Sequence, residues 1–369
     1  MKCEGFTIIG GGVIGLSIAY QLLKQQQRVT LFHAEKTTTA SLAAGGMLGG
    51  QNEFYAPSPL YNLALESRTL HKKIAQELLE LTAQDVGLLP SGLIKIATNK
   101  QGLQDLQQQY DFLHNDRPAS IQWLNQRDLQ QYEPLLGQAV ANGFHIYEDH
   151  QVNARALTKA LFLAIQQLGA NIIDEEVIAI EKEQQQITYV QTASTRYAVS
   201  QVVLAAGAWT SRLATTLNIN CPMQPVKGEC LMLKAHQLPK ATIFSTDGCY
   251  IVPKQQQMIL IGATSYPLQE DDAVTAGGIH SLLTRAIQIL PSLTKAEIIE
   301  TWCGVRPQTM DGLPIMGETP YSNLFLCTGH YRNGILLSAI TGLLCSQALL
   351  GDNTAKQRLA PFALQRFTI

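Results

Sequence analysis

The hydrophobic pattern changes its period twice within the first 32 residues. Phe6–Ile9 is a continuous apolar run of strand length, and Val29–Phe32 is a second one. Between them Leu16, Ala19 and Leu23 recur at the spacing of one helix face. This order predicts a strand, a helix and a second strand, which together form a βαβ unit.

Further helices and strands are predicted along the rest of the chain. Ser58 before Pro59 predicts a helix start, because a hydroxyl N-cap and a proline at the first helical position are both typical of one. Asn153 can cap another helix, residues 278–290 have helical spacing, and Asn333–Leu349 is predicted to be the final helix. Strands are predicted at residues 93–96, 172–173, 177–180, 187–190, 202–204 and 324–327, with an antiparallel sheet over residues 225–262.

The six residues after the first strand carry a nucleotide-binding signature. Gly10, Gly12 and Gly15 form G-x-G-x-x-G, with Val13 and Ile14 between the last two glycines. Gly10 allows the tight turn, Gly12 lets the backbone approach a pyrophosphate, and Gly15 lets the helix pack closely on the strand. A glycine-rich turn without a ligand is the alternative, but the position of the motif inside a βαβ unit favours a dinucleotide site.

The acidic residue that usually holds the ribose is missing from the end of the second strand. Phe32 is followed by His33 and Ala34, and Glu35 comes next. Either His33 or Glu35 could bond a ribose hydroxyl, and His33 could equally be a surface residue at the strand end. No arginine stands here to pair with a 2′-phosphate, so the sequence does not favour NADP.

Composition and charge exclude several classes of protein. The length of 369 residues predicts two domains or one large α/β unit with an insertion. The 46% hydrophobic fraction predicts a globular chain, and the formal net charge of −2 gives no indication of a nucleic-acid surface. The seven cysteines are widely spaced and form no C-x-x-C, so we expect reduced thiols, no metal site and a cytoplasmic protein. No secretory signal is predicted, and the apolar residues 334–350 are interpreted as a buried helix and not as a membrane span, so we expect no stable membrane association. Four glutamine triplets, at residues 25–27, 107–109, 184–186 and 255–257, are interpreted as solvated surface.

Six further motifs carry a specific resemblance. Val202–Trp209 ends a strand in small residues, and Thr39–Met47 is a Ser/Ala/Gly-rich loop. Near the C-terminus Arg306-Pro307-x-Thr309-x-Asp311-Gly312-x-Pro314 precedes Gly329–Ile335, while Val226–Cys230 and Cys249–Pro253 lie between these groups. In this order the motifs resemble those of the glycine oxidases, the ThiO-type members of the D-amino-acid-oxidase superfamily of FAD-dependent oxidoreductases.

The resemblance implies an α/β fold. It would consist of a two-dinucleotide-type, Rossmann-like FAD-binding domain and a substrate domain of α+β type built on an antiparallel sheet. The FAD-binding domain would comprise residues 1–84, 146–219 and 303–369, and the substrate-binding domain residues 85–145 and 220–302. Noncovalent FAD, a small amino acid, O₂ and a homotetramer are also implied. Cys303 lies near the region where some relatives attach flavin covalently, but it is interpreted as a buried thiol.

The resemblance also implies a set of site residues. Arg306, Tyr250 and Arg332 would bind substrate, with Arg306 clamping its carboxylate through two parallel hydrogen bonds. An arginine ion-paired at a domain edge and a core tyrosine are the alternatives for Arg306 and Tyr250. The implied cofactor-binding residues are Gly10, Gly12, Val13, Ile14, Gly15, His33, Ala34, Ala40, Ser41, Gly45, Gly46, Met47, Val177, Ala206, Gly207, His330, Tyr331, Arg332, Asn333, Gly334, Ile335 and Leu336.

The implied reaction is oxidative deamination of glycine, sarcosine and small D-amino acids, with hydride transfer from Cα to flavin N5. The products would be an imine or oxo-acid, ammonia and hydrogen peroxide, with the glycine imine used in thiamine thiazole synthesis. No side chain is assigned as a general acid or base. Gly248 and Ser265 are smaller than the residues expected at the pocket rim, which leaves the substrate range open. A D-amino acid oxidase, a quinone-linked D-amino acid dehydrogenase and a non-catalytic FAD-binding subunit remain alternatives.

Overall fold

A computed structural model describes residues 1–34 and 39–367 of the chain. Its strands and helices alternate in the way the predicted α/β class requires. The strands are β1 (Phe6–Ile9), β2 (Val29–Phe32), β3 (Met47–Leu48), β4 (Leu93–Ala97), β5 (Ile121–Asn125), β6 (Asn142–Ile146), β7 (His150–Gln151), β8 (Asn171–Ile173), β9 (Val177–Glu183), β10 (Gln186–Thr192), β11 (Arg196–Ala198), β12 (Gln201–Leu204), β13 (Met223–Lys234), β14 (Thr242–Ser245), β15 (Tyr250–Lys254), β16 (Met258–Gly262), β17 (Tyr266–Pro267), β18 (Glu297–Thr309), β19 (Ile315–Glu318) and β20 (Leu324–Thr328).

The helices begin where the sequence supplies caps. The Ser58 hydroxyl accepts a hydrogen bond from the Tyr61 amide at 3.1 Å, and Asn153 Oδ1 accepts one from Ala156 at 3.1 Å, so both predicted helix starts are confirmed. The helices are α1 (Val13–Lys24), α2 (Ala40–Ala43), α3 (Pro59–Thr82), α4 (Lys100–Asp116), α5 (Gln126–Tyr132), α6 (Ala154–Gln167), α7 (Thr210–Thr215), α8 (Ala276–Ile289), α9 (Gly334–Leu349) and α10 (Asn353–Leu359).

The first large sheet is mostly parallel and contains the predicted βαβ unit. Its order is β19-β20-β12-β1-β2-β8, with β1 hydrogen-bonded in parallel to both β2 and β12 and with β19 antiparallel to β20. The carboxyl ends of β1, β2 and β12 therefore meet at one edge. Ligands of α/β sheets bind in the crevice beyond that edge, where strand order reverses.

The second large sheet has nine strands. Eight of them follow the order β17-β13-β16-β15-β14-β4-β6-β5, and the ninth, β18, pairs with β13. The pairs within residues 225–262 are antiparallel, as predicted, whereas β14 runs parallel to β4. β18 was not predicted, and it runs without a break across residue 303. The division into domains at the borders given above stays a prediction. Smaller sheets consist of β9–β11 and of β3 with β7.

Helix α9 is buried on almost every side. It packs against α1, α3 and α10, which explains why its sequence lacks a polar face. The interpretation of this segment as a buried helix is confirmed, but α10 follows it, so the prediction that it is the final helix is wrong. Among the described residues, no helix combines the length and the apolar character needed to cross a membrane.

Gln109, in the triplet at residues 107–109, contradicts the interpretation of the glutamine triplets as solvated surface. Gln109 is fully buried in α4, and its Nε2 donates to the backbone carbonyls of Asn52 and Phe54 at 2.7 and 3.0 Å. Its neighbours Gln107 and Gln108 are exposed. A polar side chain can be buried where it satisfies backbone acceptors of another segment, and sequence composition does not reveal such partners.

A buried histidine joins α3 to α9. His71 Nε2 lies 2.9 Å from the carbonyl oxygen of Leu336, and because a carbonyl only accepts, this nitrogen carries the proton. Burial lowers the pKa of His71 to about 4, because the charged imidazolium is poorly solvated there. In the unfolded chain the ring titrates near its ordinary value, so acid favours the unfolded state.

We expect His71→Gln to reduce the acid sensitivity of folding. The pKa of His71 is lower in the folded state than in the unfolded chain. Above the unfolded pKa the ring is neutral in both states, so His71 does not reduce the stability there. Stability is then lost as pH falls from about 6.5 toward 4, by roughly 2 kcal/mol between pH 7 and 5. Glutamine keeps an N–H donor for Leu336 without a titrating group, and denaturant titrations at the two pH values measure the difference. His280→Gln, an exposed position on α8, is the control. An unchanged pH dependence in His71→Gln would contradict this account.

Candidate active site

A cavity of about 1340 Å³ is lined by residues of both large sheets. It begins beyond the carboxyl ends of β1, β2 and β12 and extends to side chains of β13, β15 and β18. Its volume exceeds the roughly 300–1,000 Å³ of typical small-molecule pockets, as a dinucleotide together with a substrate requires.

The glycine turn after β1 forms one end of this cavity. Gly10 has a positive φ of 120°, and a Cβ there would lie 2.4 Å from the carbonyl oxygen of Ala205. The amide of Val13, at the start of α1, donates to the hydroxyl of Ser41 at 2.9 Å. Gly12 also lies close to this side chain, since a Cβ there would be 3.2 Å from the same hydroxyl. The bare backbone at a helix N-terminus fits the pyrophosphate of FAD.

His33 closes the same end at the tip of β2. An added Cβ at Gly11 would lie 2.1 Å from His33 Nδ1, so the imidazole packs directly on the glycine turn. The ring also lies 5.5 Å from that of Phe162. His33 and Ala34 both line the cavity, whereas Glu35 lies outside the described residues. Which of His33 and Glu35 holds a ribose stays open.

Most of the expected cofactor residues line this one cavity, and three do not. A Cβ at Gly15 would lie 2.0 Å from the carbonyl oxygen of Gly10, so Gly15 serves helix packing, as its place in the motif predicts. Asn333 and Leu336 are the other two, and the carbonyl of Leu336 instead accepts from Ser67 and His71. The expected residues on the lining are Gly10, Gly12, Val13, Ile14, His33, Ala34, Ala40, Ser41, Gly45, Gly46, Met47, Val177, Ala206, Gly207, His330, Tyr331, Arg332, Gly334 and Ile335.

Arg306 projects from β18 into the other end of the cavity. Its two terminal nitrogens each donate to the carbonyl oxygen of Thr264 at 3.3 Å. The guanidinium is half-buried, and in the part of the chain that the structure describes no carboxylate forms an ion pair with it. Among the described residues, the structure therefore gives no support to the alternative of an arginine ion-paired at a domain edge. Beneath it Gly228 leaves the space open, since a Cβ would lie 2.1 Å from Arg306 Nη2.

Tyr250 stands beside this guanidinium on β15. Only 8% of the residue is exposed, yet it lines the cavity, and its hydroxyl lies 3.6 Å from Cys230 Sγ. Burial raises the pKa of Tyr250 well above its ordinary value, so the hydroxyl stays protonated and can donate. Tyr250 is thus both a core aromatic residue and part of the cavity wall.

Arg332 differs from Arg306 because a carboxylate neutralises it. Its Nη2 lies 3.2 Å from Glu53 Oε1, and this partner raises the pKa of Arg332 above its ordinary value. Arg332 lines the cavity, as expected for a substrate-side residue. Two hydrogen bonds hold the residue before Glu53 in place. The Asp149 carboxylate accepts from the Asn52 amide at 2.8 Å, and Lys95 donates to the Asn52 carbonyl at 2.9 Å.

The approach to α9 forms another wall of the cavity. His330 is buried, and its Nε2 lies 3.1 Å from the hydroxyl of Thr341, one of the residues of α9. Burial lowers the pKa of His330 to about 3, so the ring is neutral at neutral pH. Tyr331 has a positive φ of 47°, which turns the chain into the helix. The helix N-terminus at Gly334 then faces the cavity and adds positive partial charge there.

Sequence reasoning missed several lining residues. Gly11, Thr264 and Glu53 belong to the cavity, as do Phe162 and Arg285. Gly11 stood inside the recognised motif and could have been included. Nothing local in the sequence marks Glu53 or Thr264, because their partners are far away along the chain. The described residues contain no group of three or more His, Cys, Asp and Glu side chains able to hold a metal ion.

Comparisons with known proteins agree with this geometry. Residues 6–348 match the family described as DAO, FAD dependent oxidoreductase. The chain belongs to that family, and FAD is the cofactor that its cavity accommodates.

Individual relatives narrow the comparison. The chain is 44% identical to a glycine oxidase of Geobacillus kaustophilus over 98% of this chain and 96% of that protein. A crystal structure of glycine oxidase from Geobacillus kaustophilus superposes with a TM-score of 0.94 at 42% identity, and it covers all of both chains. The chain is also 35% identical to the bifunctional protein ThiO/ThiG of Synechocystis over 98% of its own length, but it spans only 53% of that protein.

We expect Gly11→Ala to weaken FAD binding about ten-fold or more, which corresponds to about 1.4 kcal/mol. The new methyl would collide with His33 Nδ1, so either the ring or the glycine turn must move out of place. The dissociation constant is measured by titrating the apoprotein with FAD and following flavin fluorescence. Gly277→Ala is the control, because nothing lies within 4 Å of a Cβ at that position. Equal FAD affinities of Gly11→Ala and Gly277→Ala would argue against FAD binding at the glycine turn after β1.

Proposed function

We propose that this protein catalyses the FAD-dependent oxidative deamination of glycine, and also of sarcosine and small D-amino acids. The observation that carries the proposal is the half-buried guanidinium of Arg306, which pairs with no carboxylate among the described residues and shares one cavity with a dinucleotide cradle. The products are the imine or oxo-acid, ammonia or a primary amine, and hydrogen peroxide formed with O₂. The glycine oxidase relatives support this assignment.

The side chains at the Arg306 end suit an amino acid substrate. Arg306 binds the carboxylate through two parallel charge-assisted hydrogen bonds, which fix the orientation of Cα. The neutral hydroxyl of Tyr250 donates a further hydrogen bond to the same carboxylate. Gly248 and Ser265 leave the rim open, since nothing lies within 4 Å of a Cβ at Gly248, and this favours D-amino acids larger than glycine as additional substrates.

Bound FAD supplies the two-electron acceptor for the hydride that leaves Cα. The residues of this chain orient the substrate and exclude water around Cα, and none of them acts as a general base if the amine enters neutral. His330, held neutral by burial, adds no positive charge to this part of the cavity. Cys303 is buried, lies off the cavity lining and contacts the carbonyl of Asp271, which supports noncovalent FAD.

The relatives support an inference about the fate of the product. The ThiO/ThiG protein combines a region similar to this chain with a second part that this chain does not match. We infer that the glycine imine made here is used in thiamine thiazole synthesis. We further propose a cytoplasmic homotetramer without stable membrane association, whose FAD-binding and substrate-binding domains divide as the sequence predicts.

We expect Arg306→Ala to lower kcat/KM for glycine by about 10²–10⁴, mainly through KM. Two charge-assisted hydrogen bonds are lost, each worth about 1.5–3 kcal/mol. FAD stays bound, because the glycine turn lies at the other end of the cavity. Arg306→Lys recovers only part of the loss, since an ammonium cannot form the parallel pair. Peroxide production measures the rates, and Arg358→Ala, which removes a surface ion pair with Glu66, is the control. A glycine KM in Arg306→Ala equal to that of the control would remove Arg306 from this role.

The absorbance spectrum of the purified protein distinguishes the remaining alternatives. We expect oxidised flavin bands that bleach when glycine is added without oxygen, and that return with the release of peroxide in air. Activity with artificial electron acceptors but no peroxide would instead indicate a quinone-linked dehydrogenase. Bands that no amino acid bleaches would indicate a non-catalytic FAD-binding subunit. Faster bleaching by D-alanine than by glycine would indicate a D-amino acid oxidase.

A further inference from the structure

A buried lysine lies directly behind the loop that lines the cavity. Lys254 ends β15, and only 9% of it is exposed. Its Nζ donates to the carbonyl of Gly45 at 2.8 Å, to the side-chain oxygen of Gln151 at 2.7 Å and to the carbonyl of Val152 at 2.9 Å. Within the described ranges no carboxylate forms an ion pair with this ammonium.

The three acceptors belong to two segments that meet at the cavity. Gly45 lies in the loop of residues 43–47, all of which line the cavity, and a Cβ at Gly45 would lie 3.1 Å from the ring of Tyr250. Gln151 pairs with Met47 in the small sheet of β3 and β7, and the Val152 amide donates to the Gly46 carbonyl at 2.8 Å. Gln151 Nε2 also donates to the carbonyl of Pro253 at 2.7 Å, which closes the network back onto β15.

Stability alone does not account for a cation at this position. An ammonium taken out of water without a counter-charge is costly, and a buried apolar side chain would avoid that cost. Burial lowers the pKa of Lys254 to about 7 for the same reason. The ammonium form has three N–H donors and satisfies all three acceptors, whereas a neutral amine has only two. The number of N–H donors of the charged form therefore equals the number of acceptors around Lys254.

We propose that Lys254 is a positioning residue for FAD, which holds the loop of residues 43–47 in the shape of the cavity wall by binding the Gly45 carbonyl and the Gln151–Val152 segment together. Lys254 does not line the cavity, so it acts through this loop and not by contact with the cofactor. Gly45 has no side chain that could anchor the loop by packing. The inference rests on FAD binding alone and is independent of the amino acid substrate.

The experiment measures FAD affinity in Lys254→Met, which keeps the length of the side chain but removes the donors. We expect the dissociation constant for FAD to rise by roughly ten-fold or more, with a changed visible circular dichroism of the bound flavin and an apoprotein that unfolds cooperatively. Lys254→Arg restores donors and should recover most of the affinity, which a purely structural filler would not explain. Lys182→Met is the matched control, because Lys182 also donates to a backbone carbonyl, that of Leu217, away from the cavity.

The outcomes separate the two roles. An FAD affinity and flavin spectrum in Lys254→Met equal to those of Lys182→Met would overturn the proposal, as would a loss of affinity that Lys254→Arg does not relieve. If Lys254→Met fails to fold, Gln151→Met replaces it, since that variant removes one acceptor and the link to Pro253 but keeps the lysine. Wild-type affinity in a folded Gln151→Met would then overturn the proposal. All titrations omit amino acids, so failure of the proposed substrate assignment cannot affect them.

Discussion

The candidate site depends on the positive charge of Arg306, with which no carboxylate of the described residues forms an ion pair. Arg306 holds its guanidinium against the carbonyl of Thr264, and a backbone carbonyl orients a cation without neutralising it. Thr264 is itself fixed, because its amide donates to the carbonyl of Glu229 and its hydroxyl accepts from the Glu229 amide. A partly buried cation of this kind attracts an anion. The carboxylate of a small zwitterion has the opposite charge, and its two oxygens can accept the two parallel N–H donors of the guanidinium.

Arg332, another of the arginines that line the cavity, shows how an ion pair changes the role of a guanidinium. Arg332 is bound to Glu53, and Glu53 sits on a segment held by Asp149 and Lys95. An ion pair that is already formed must be broken before either partner can bind a ligand fully, so Arg332 is less available than Arg306. The two guanidiniums therefore suit different tasks. Arg306 is suited to gripping an anion, and Arg332 is suited to shaping the wall and setting the local charge.

The cavity exists because two sheets of different type meet there. The parallel sheet contributes the bare glycine turn and the N-terminus of α1, where FAD is favoured by backbone N–H groups. The antiparallel part of the other sheet contributes Tyr250 on β15 and Arg306 on β18, two strands that are separated by β16 and β13. Gly45 and Gly228 leave room for these two side chains, since a Cβ at Gly45 would press on Tyr250 and one at Gly228 would press on Arg306.

The predictable part of this protein is local. The glycine motif, the caps of Ser58 and Asn153 and the apolar α9 depend on hydrogen bonds and packing within a few residues, so local spacing predicted them. The α/β class was implied by the resemblance to a known family. Tertiary structure decided that Gln109 is buried, that β18 exists and that Arg332 pairs with a carboxylate whereas Arg306, among the described residues, does not. Glu53 lies 279 residues before Arg332 in the chain. Whether a charge is neutralised depends on which distant segments the fold brings within about 4 Å, and no local pattern encodes that distance.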